Sequence, residues 1–307
     1  MPQWAAFVGL TGVVCTLLLA LARLSQGLVR DDAGEAGASH PSSPTDRRRT
    51  EEIPRFVPPD ANADESGLDA DAAKSHADDG PLRADGELAA TGTGDGTPSR
   101  ALAGEFSTGA LLANVALTQG VFGGLLLAGA WYFGIPASAF GVTAAPLSTG
   151  LPALAVGTLL GVTLYAANEI GAVSADAVGV EHDERLRSML APESAGGWVV
   201  LLLVVLPVVA GVEEFIFRAA VIGATTAGFG TPVWALAVVS SLAFALGHGA
   251  QGRAGIAVTG SLGLVLAAAF VLTGSLLVVF VAHYLVNALE FVVHELLGIE
   301  WAARGGG

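Results

Sequence analysis

The sequence is short of the residues that a disulfide-linked or thiolate-metal protein needs. Cys15 is the only cysteine among 307 residues, so a disulfide within the chain and a cysteine-based metal site are both excluded. Charged residues are also scarce, at 14% of the chain, and Lys74 is the only lysine. With 52% hydrophobic residues, this composition is typical of a polytopic membrane protein. Nothing in it indicates nucleic-acid binding, and any metal would need histidine and carboxylate ligands.

The net charge of −14 is concentrated in one part of the chain. Residues 31–105 hold 17 of the 28 acidic residues, and the remainder is strongly apolar. An acid-rich segment with almost no lysine suggests a salt-adapted organism such as a halophilic archaeon; compositional bias from a GC-rich genome is the alternative. Residues 26–106 are rich in Asp, Gly, Ala, Ser and Pro without periodicity. We predict that they form a disordered acidic linker, because such a segment buries too little apolar surface to fold.

Apolar runs of spanning length predict an all-α polytopic bundle of about seven transmembrane helices. Residues 1–25 are predicted to be an N-terminal anchor, and residues 107–307 a membrane helical domain. A cleaved signal peptide ending near Ala22 is the rival for the first helix, but no positive charge precedes its apolar run. The expected helices are 4–22, 107–133, 151–171, 197–228, 233–250, 254–272 and 275–297.

The arginines predict how these helices are oriented. With the N-terminus outside and the linker in the cytoplasm, seven spans place the flanking arginines on the cytoplasmic face, as the positive-inside rule requires. These are Arg23, Arg30, Arg185, Arg187, Arg253 and Arg304. We therefore expect a multi-pass protein of the cell membrane, in contact with membrane lipid.

Three formal charges lie inside the fourth predicted helix, at Glu213, Glu214 and Arg218. Each charge near a bilayer centre costs roughly 2.5–3.5 kcal/mol on insertion scales, so such residues mark function in most membrane proteins. Glu214 and Arg218 are four apart with the acid first, so they share a helix face and can pair. Glu213 points about 100° away and is left for chemistry. An ion pair that only fixes helix packing would explain Glu214 and Arg218 but not Glu213.

Polar residues on two later helices would complete a site with Glu213. His248 ends the fifth helix, and His283 and Asn287 are four apart on one face of the seventh. A carboxylate and a histidine can deprotonate water, while an amide and a second histidine can donate to a developing oxyanion. Alternatively, Glu213, His248 and His283 would hold a divalent metal such as zinc that activates the water. The spacing alone does not choose between the two.

Other polar residues of the membrane helices are assigned supporting roles. Glu290 and His294 continue the stripe of the seventh helix, and we interpret them as supporting polar residues or an interfacial helix end. Ser240 and Ser241 are rejected as nucleophiles, because small hydroxyl residues in membrane helices are usually packing contacts. Glu169 lies within the weaker third span.

The three motifs Glu-Glu-x-x-x-Arg, Phe-x-x-x-His and His-x-x-x-Asn follow one another, each on a predicted membrane helix. In this order they resemble the CPBP family, the CAAX-processing and bacteriocin-processing intramembrane endopeptidases, also called type II CAAX prenyl proteases. The resemblance covers residues 197–297. It implies that the first glutamate and first histidine activate water and that the second histidine and the asparagine stabilise the oxyanion. The implied catalytic residues are Glu213, His248, His283 and Asn287, and Glu214, Arg218 and Phe244 complete the motifs.

We therefore expect an intramembrane endopeptidase acting on a membrane-delivered peptide or protein, either a prenylated CAAX-type C-terminus or a leader. The resemblance leaves a zinc-dependent and a metal-free glutamate mechanism open. The alternative is a non-enzymatic membrane binding or scaffold protein that uses the polar site for recognition. A transporter using Glu213 and Glu169 ranks last. A shared site needs Glu213 within about 10 Å of His248, so helix four must tilt, or bend at Pro207 or Gly211.

Overall fold

The computed structural model describes residues 1–38, 108–176 and 185–299, which form helices and turns without a strand. The predicted all-α polytopic fold is confirmed. Residues 39–107, which make up most of the predicted linker, lie outside the described part of the chain. The long helices are α1 (Trp4–Ala38), α2 (Thr108–Tyr132), α3 (Leu151–Asp176), α4 (Ala195–Phe229), α5 (Val233–Gly247), α6 (Gly252–Thr273) and α7 (Leu276–Leu296).

Six of these seven helices are long and apolar enough to cross a membrane, counted over the described residues. The first does so over Trp4–Leu24, and its helix continues to Ala38, past the anchor boundary expected at residue 25. The exception is α5, whose 15 residues extend about 22 Å, less than the roughly 30 Å hydrocarbon core. All seven predicted helices are present, but the fifth is too short to be counted as a span. Orientation in the membrane stays a prediction.

Short elements occupy parts of residues 134–150 and 172–196, the two segments between expected helices that we predict to be loops. Helical turns at Ala137–Phe140 and Pro146–Thr149 follow α2, and a short helix at Arg185–Leu190 precedes α4. The turn at Pro146–Thr149 anchors the start of α7, because the hydroxyl of Ser275 donates to the carbonyl oxygen of Ser148 at 2.8 Å. The same hydroxyl oxygen accepts from the first turn of α7 as an N-cap, so this helix begins at a fixed point.

Helix α4 is the central element of the bundle, because its residues belong to all three apolar clusters of the core. Its first turns pack with α2 and with the end of α7. Its middle packs with α1, α2 and Phe244 of α5. Further along, Ile222 packs against α5, α6 and α7. Charged side chains in the middle of α4 therefore lie among packed helices.

The helical turns of α4 are widened on both sides of the adjacent glutamates. The segments Leu201–Val205 and Phe215–Ala224 are π-helical, and Leu206–Glu214 between them is α-helical. The first π segment ends two residues before Pro207, which has no amide hydrogen to donate to the preceding turn. Such π-helical turns change which way the following side chains face, and they are frequent at functional sites.

Helices α3 and α7 approach each other closely at two glycines spaced four residues apart. A Cβ on Gly157 would lie 2.8 Å from the carbonyl oxygen of Val278, and one on Gly161 would lie 2.9 Å from that of Ala282. Small residues at this spacing let membrane helices pack with their backbones in contact. Because Ala282 precedes His283, this contact supports α7 at the level of the predicted site.

We expect Gly161→Ala to lower the stability of the folded protein by about 1–3 kcal/mol, because its methyl group would collide with the backbone of α7. Denaturant unfolding of the purified chain in detergent micelles measures this change. The matched control is Gly171→Ala on the same helix, where a Cβ meets nothing within 4 Å. That variant should be neutral or stabilised by about 0.5–1 kcal/mol. Equal effects at the two positions would contradict the packing of α3 on α7 described above.

Candidate active site

A fully buried ion pair lies at the centre of the bundle. The Nη1 of Arg218 donates to Oε1 of Glu214 at 2.9 Å, and both side chains are inaccessible. The Nη2 of Arg218 donates to the carbonyl oxygen of Gly263 on α6 at 3.0 Å. Its guanidinium carbon lies 4.7 Å from the centroid of the Phe244 ring. Because a buried charge needs partners, this arrangement holds α4, α5 and α6 in one register.

His283 connects the same ion pair to α7. Its Nδ1 lies 2.7 Å from Oε1 of Glu214. An ionised carboxylate can only accept, so Nδ1 carries the hydrogen and donates it. The other ring nitrogen, Nε2, then lies 3.6 Å from Oε2 of Glu213. If the ring is an imidazolium, this nitrogen also carries a donor that points into the site.

His248 has its ring fixed by the backbone of its own helix. Its Nδ1 lies 2.8 Å from the carbonyl oxygen of Phe244. Because a carbonyl oxygen has no hydrogen to give, Nδ1 is the donor and a neutral ring keeps its lone pair on Nε2. That nitrogen lies 3.9 Å from Oε1 of Glu213. His248 therefore presents a basic nitrogen beside a carboxylate.

Glu213 lies between the two histidines and makes no direct hydrogen bond to the described residues. Its oxygens are 3.9 Å from His248 and 3.6 Å from His283, well inside the separation that a shared site requires. Gaps of this size are too long for a direct hydrogen bond and suit a bridging water. The spacing thus leaves the carboxylate free to accept a proton from a water that also contacts an imidazole.

Phe244 lies beside these groups, and Asn287 lies on the same helix as His283. The ring of Phe244 is buried, with its centroid 4.6 Å from that of His248 and 5.9 Å from that of His283. It forms an apolar wall against both imidazoles. Asn287 follows His283 by one turn of α7 and is partly accessible. Among the described residues its side-chain amide has no hydrogen-bond partner, so its donors remain available.

The serines near His248 are already occupied by backbone carbonyls. The hydroxyl of Ser240 donates to the carbonyl oxygen of Phe217 at 2.6 Å, and that of Ser241 donates to the carbonyl oxygen of Ala237 at 2.7 Å. Both serines are buried. Their contacts are those of packing residues, so neither hydroxyl is placed as a nucleophile.

The three residues predicted as alternative metal ligands do not form a compact ligand set. Among the described residues, Glu213, His248 and His283 do not bring one ligand atom each within 4.8 Å of the others. A bound metal would therefore require movement of at least one of these side chains.

Two features of the site were not found by sequence reasoning. The carbonyl oxygen of Gly263 binds Arg218, and a Cβ at this glycine would lie 3.0 Å from the Phe244 ring. Glu290 was predicted to support the site, but its carboxylate contacts Asn168 and Arg187 instead, two turns along α7 from His283. A glycine within an apolar helix was the available signal for the first. The second depends on helix pairing, which hydrophobic periodicity alone does not encode.

The part of the chain that contains these residues is similar to a known protein family. Residues 195–289 match the family model of the Rce1-like type II CAAX prenyl endopeptidases. This segment, about a third of the chain, is similar to an Rce1-like domain. The match runs from the start of α4 into α7, confirms the resemblance drawn from the three motifs, and supports an intramembrane endopeptidase in general. No curated protein and no solved structure matches the chain.

We expect Arg218→Met to destabilise the Rce1-like domain by about 3–5 kcal/mol, because it leaves the Glu214 carboxylate buried without its cation. Denaturant unfolding in micelles measures the change. The double variant Arg218→Met with Glu214→Gln should recover part of this loss, since the unpaired charge is gone. The control Arg253→Met removes an exposed arginine and should stay within about 0.5 kcal/mol of wild type. A double variant no more stable than the single one would contradict the assignment of the loss to the stranded charge.

Proposed function

We propose that the Rce1-like domain hydrolyses a peptide bond with a water activated by Glu213 and His248. The observation that carries this proposal is the pair of gaps around Glu213. Its carboxylate lies 3.9 Å from one imidazole nitrogen and 3.6 Å from another, without a direct hydrogen bond to either. A partly buried carboxylate that served only packing would be expected to have a direct partner, as the fully buried Glu214 does.

In the first step, water attacks the carbonyl carbon of the scissile bond. Glu213 takes the proton of the attacking water as general base. His248, whose Nε2 faces the same carboxylate, binds the water and keeps it oriented. The oxygen of the water bonds to the carbonyl carbon. The negative charge develops on the substrate carbonyl oxygen, which becomes an oxyanion in the tetrahedral intermediate.

The oxyanion is stabilised from α7. His283, held at Nδ1 by the Glu214 carboxylate, donates from Nε2 when its ring carries both hydrogens. Asn287 adds an amide donor one turn further along the helix. Collapse of the intermediate breaks the C–N bond, and the leaving amine takes the proton held by Glu213. The carboxylate is then regenerated, so the cycle consumes only water.

The position of the site supports a substrate that is delivered by the membrane. Its residues come from α4, α5 and α7, which belong to an apolar helical bundle. A C-terminal peptide carrying a prenyl group fits this mode of delivery, and a leader peptide anchored in the bilayer is the other candidate.

We also propose the orientation given by the arginines, with the N-terminus outside and the linker in the cytoplasm.

We expect Glu213→Gln and His248→Gln each to lower kcat about 10²–10⁴-fold, because each removes a group that handles the attacking water. The assay is cleavage of a prenylated CAAX-type peptide and of a leader peptide by the purified full chain in lipid nanodiscs, read by mass spectrometry. The matched control is Ser241→Ala, which removes a buried hydroxyl bound only to its own helix and should retain full turnover.

Retained turnover in Glu213→Gln would refute the mechanism. Loss of turnover in Ser241→Ala with an intact fold would instead favour a serine nucleophile. Absence of any product from wild type, together with substrate binding that survives in Glu213→Gln, would favour the non-enzymatic recognition protein. Activity that disappears with a chelator and returns with zinc would replace direct water activation by a metal-dependent step.

We expect Asn287→Ala to reduce kcat about 10²–10³-fold while KM changes little, because an oxyanion donor acts in the transition state and not on the bound peptide. Steady-state kinetics in the same nanodiscs separate the two constants. A matched increase in KM with unchanged kcat would show that Asn287 binds the ground-state substrate and does not stabilise the oxyanion.

A further inference from the structure

A second polar cluster lies at the end of the α3–α7 interface, and the proposed hydrolysis does not use it. It consists of Glu169 on α3 and of Glu290 and His294 on α7. Each of these residues offers one ligand atom, and the three atoms lie within 4.8 Å of one another. The side chains are 13%, 18% and 14% exposed, so the cluster is accessible to an ion but mostly shielded from water.

The distances in this second cluster are close to those of a metal site. The Nε2 of His294 lies 2.8 Å from Oε1 of Glu169 and 3.7 Å from Oε2 of Glu290. Ligand atoms about 2.0–2.1 Å from a tetrahedral zinc ion are about 3.4 Å apart. One of the two observed distances is shorter than this separation, and the other is longer. Small rotations of the side chains would therefore seat an ion, without movement of either helix.

Neighbouring residues hold the Glu290 carboxylate in place. The side-chain amide of Asn168 donates to its Oε1, and Nη1 of Arg187 lies 3.1 Å from its Oε2. The Nε of Arg187 donates to Glu295 at 2.8 Å. Outer hydrogen bonds of this kind orient the ligands of metal sites. A carboxylate oxygen has two lone pairs, so the contact with Arg187 leaves one for an ion.

The formal charges of the described side chains here do not balance. The described side chains here include three carboxylates, those of Glu169, Glu290 and Glu295, and one guanidinium, that of Arg187, which contacts Glu290 and Glu295. With a neutral His294 this leaves a formal excess of two negative charges in a partly buried position. Partly buried charges are normally paired or bound to a cation. A divalent ion would supply the missing charge.

We propose that Glu169, Glu290 and His294 form a binding site for a divalent transition metal, with Zn²⁺ the best-matched ion. One imidazole nitrogen and carboxylate oxygens are a donor set that zinc accepts, and water would complete its coordination. The ion replaces the proton that His294 shares with Glu169. It joins α3 to α7 two turns from His283. The site is separate from the hydrolytic centre and does not depend on the proposed mechanism.

The test is Zn²⁺ binding to the purified full chain in nanodiscs after removal of metal with a chelator. Isothermal titration should show one Zn²⁺ per chain, and thermal unfolding should shift upward when Zn²⁺ is added. His294→Gln and Glu169→Gln should each weaken binding at least about tenfold and remove the upward shift. Both replacements keep a side chain that can hydrogen-bond, so the helices should remain paired.

Two controls separate this site from its surroundings and from the hydrolytic centre. Glu295→Gln removes one negative charge and a partner of Arg187 but no ligand atom, so Zn²⁺ should still bind, and more tightly than in either ligand variant. Glu213→Gln should also retain binding. X-ray absorption of the zinc-loaded chain should show one imidazole and otherwise oxygen ligands.

Three outcomes would overturn the proposal. The first is wild-type protein that binds no Zn²⁺ at micromolar concentration, which would make the cluster an ion-pair network. The second is binding that is unchanged in both His294→Gln and Glu169→Gln. The third is a spectrum with two imidazole ligands together with binding lost in Glu213→Gln, which would place the ion between His248 and His283 instead. Only this third outcome would also change the hydrolytic mechanism proposed above.

Discussion

The structure depends on one buried carboxylate that has to be neutralised where water is absent. Glu214 accepts from Arg218 on its own helix and from His283 on α7, and Arg218 in turn binds the backbone of α6. A buried charge that loses a partner costs several kcal/mol, so the helices that provide these partners cannot shift independently. Phe244 of α5 packs on the guanidinium and on both imidazoles. The ion pair thus holds together the same helices that carry the groups proposed for chemistry.

The adjacent glutamates have opposite roles for a geometric reason. Neighbouring positions on a helix point about 100° apart, so only one of them can face Arg218. Glu214 takes that position and has its charge compensated. Glu213 faces His248 and His283 across gaps that no direct hydrogen bond closes. Because His283 is held by Glu214, it cannot turn to form a direct hydrogen bond with Glu213. The pairing of Glu214 therefore leaves Glu213 without a charge partner.

Much of this arrangement could be predicted from sequence, because membrane helices have a strong signal and charges within them are few. The spacing of Glu214 and Arg218 is enough to predict their pairing, and the motifs bring His248 and His283 to Glu213. The partners of Glu290 could not be predicted in this way. Hydrophobic periodicity shows which residues share a face but not which helix that face meets. The glycine pair on α3 was the available signal, because Gly157 and Gly161 allow close approach and thereby bring Glu169 beside α7.

The two polar clusters lie on one stripe of α7, and this has an electrostatic consequence. His283 and Glu290 are seven residues apart, or about 10 Å along the helix. At that distance, with an effective dielectric constant of about 20, a divalent ion and a unit charge interact by on the order of 3 kcal/mol. Bound alone, the ion would oppose an imidazolium at His283. The carboxylates around Glu290 carry a compensating formal charge of similar size, so an ion held there restores neutrality. His283, which is proposed to stabilise the oxyanion, therefore experiences the net charge of the second-cluster acids together with the cation that they bind.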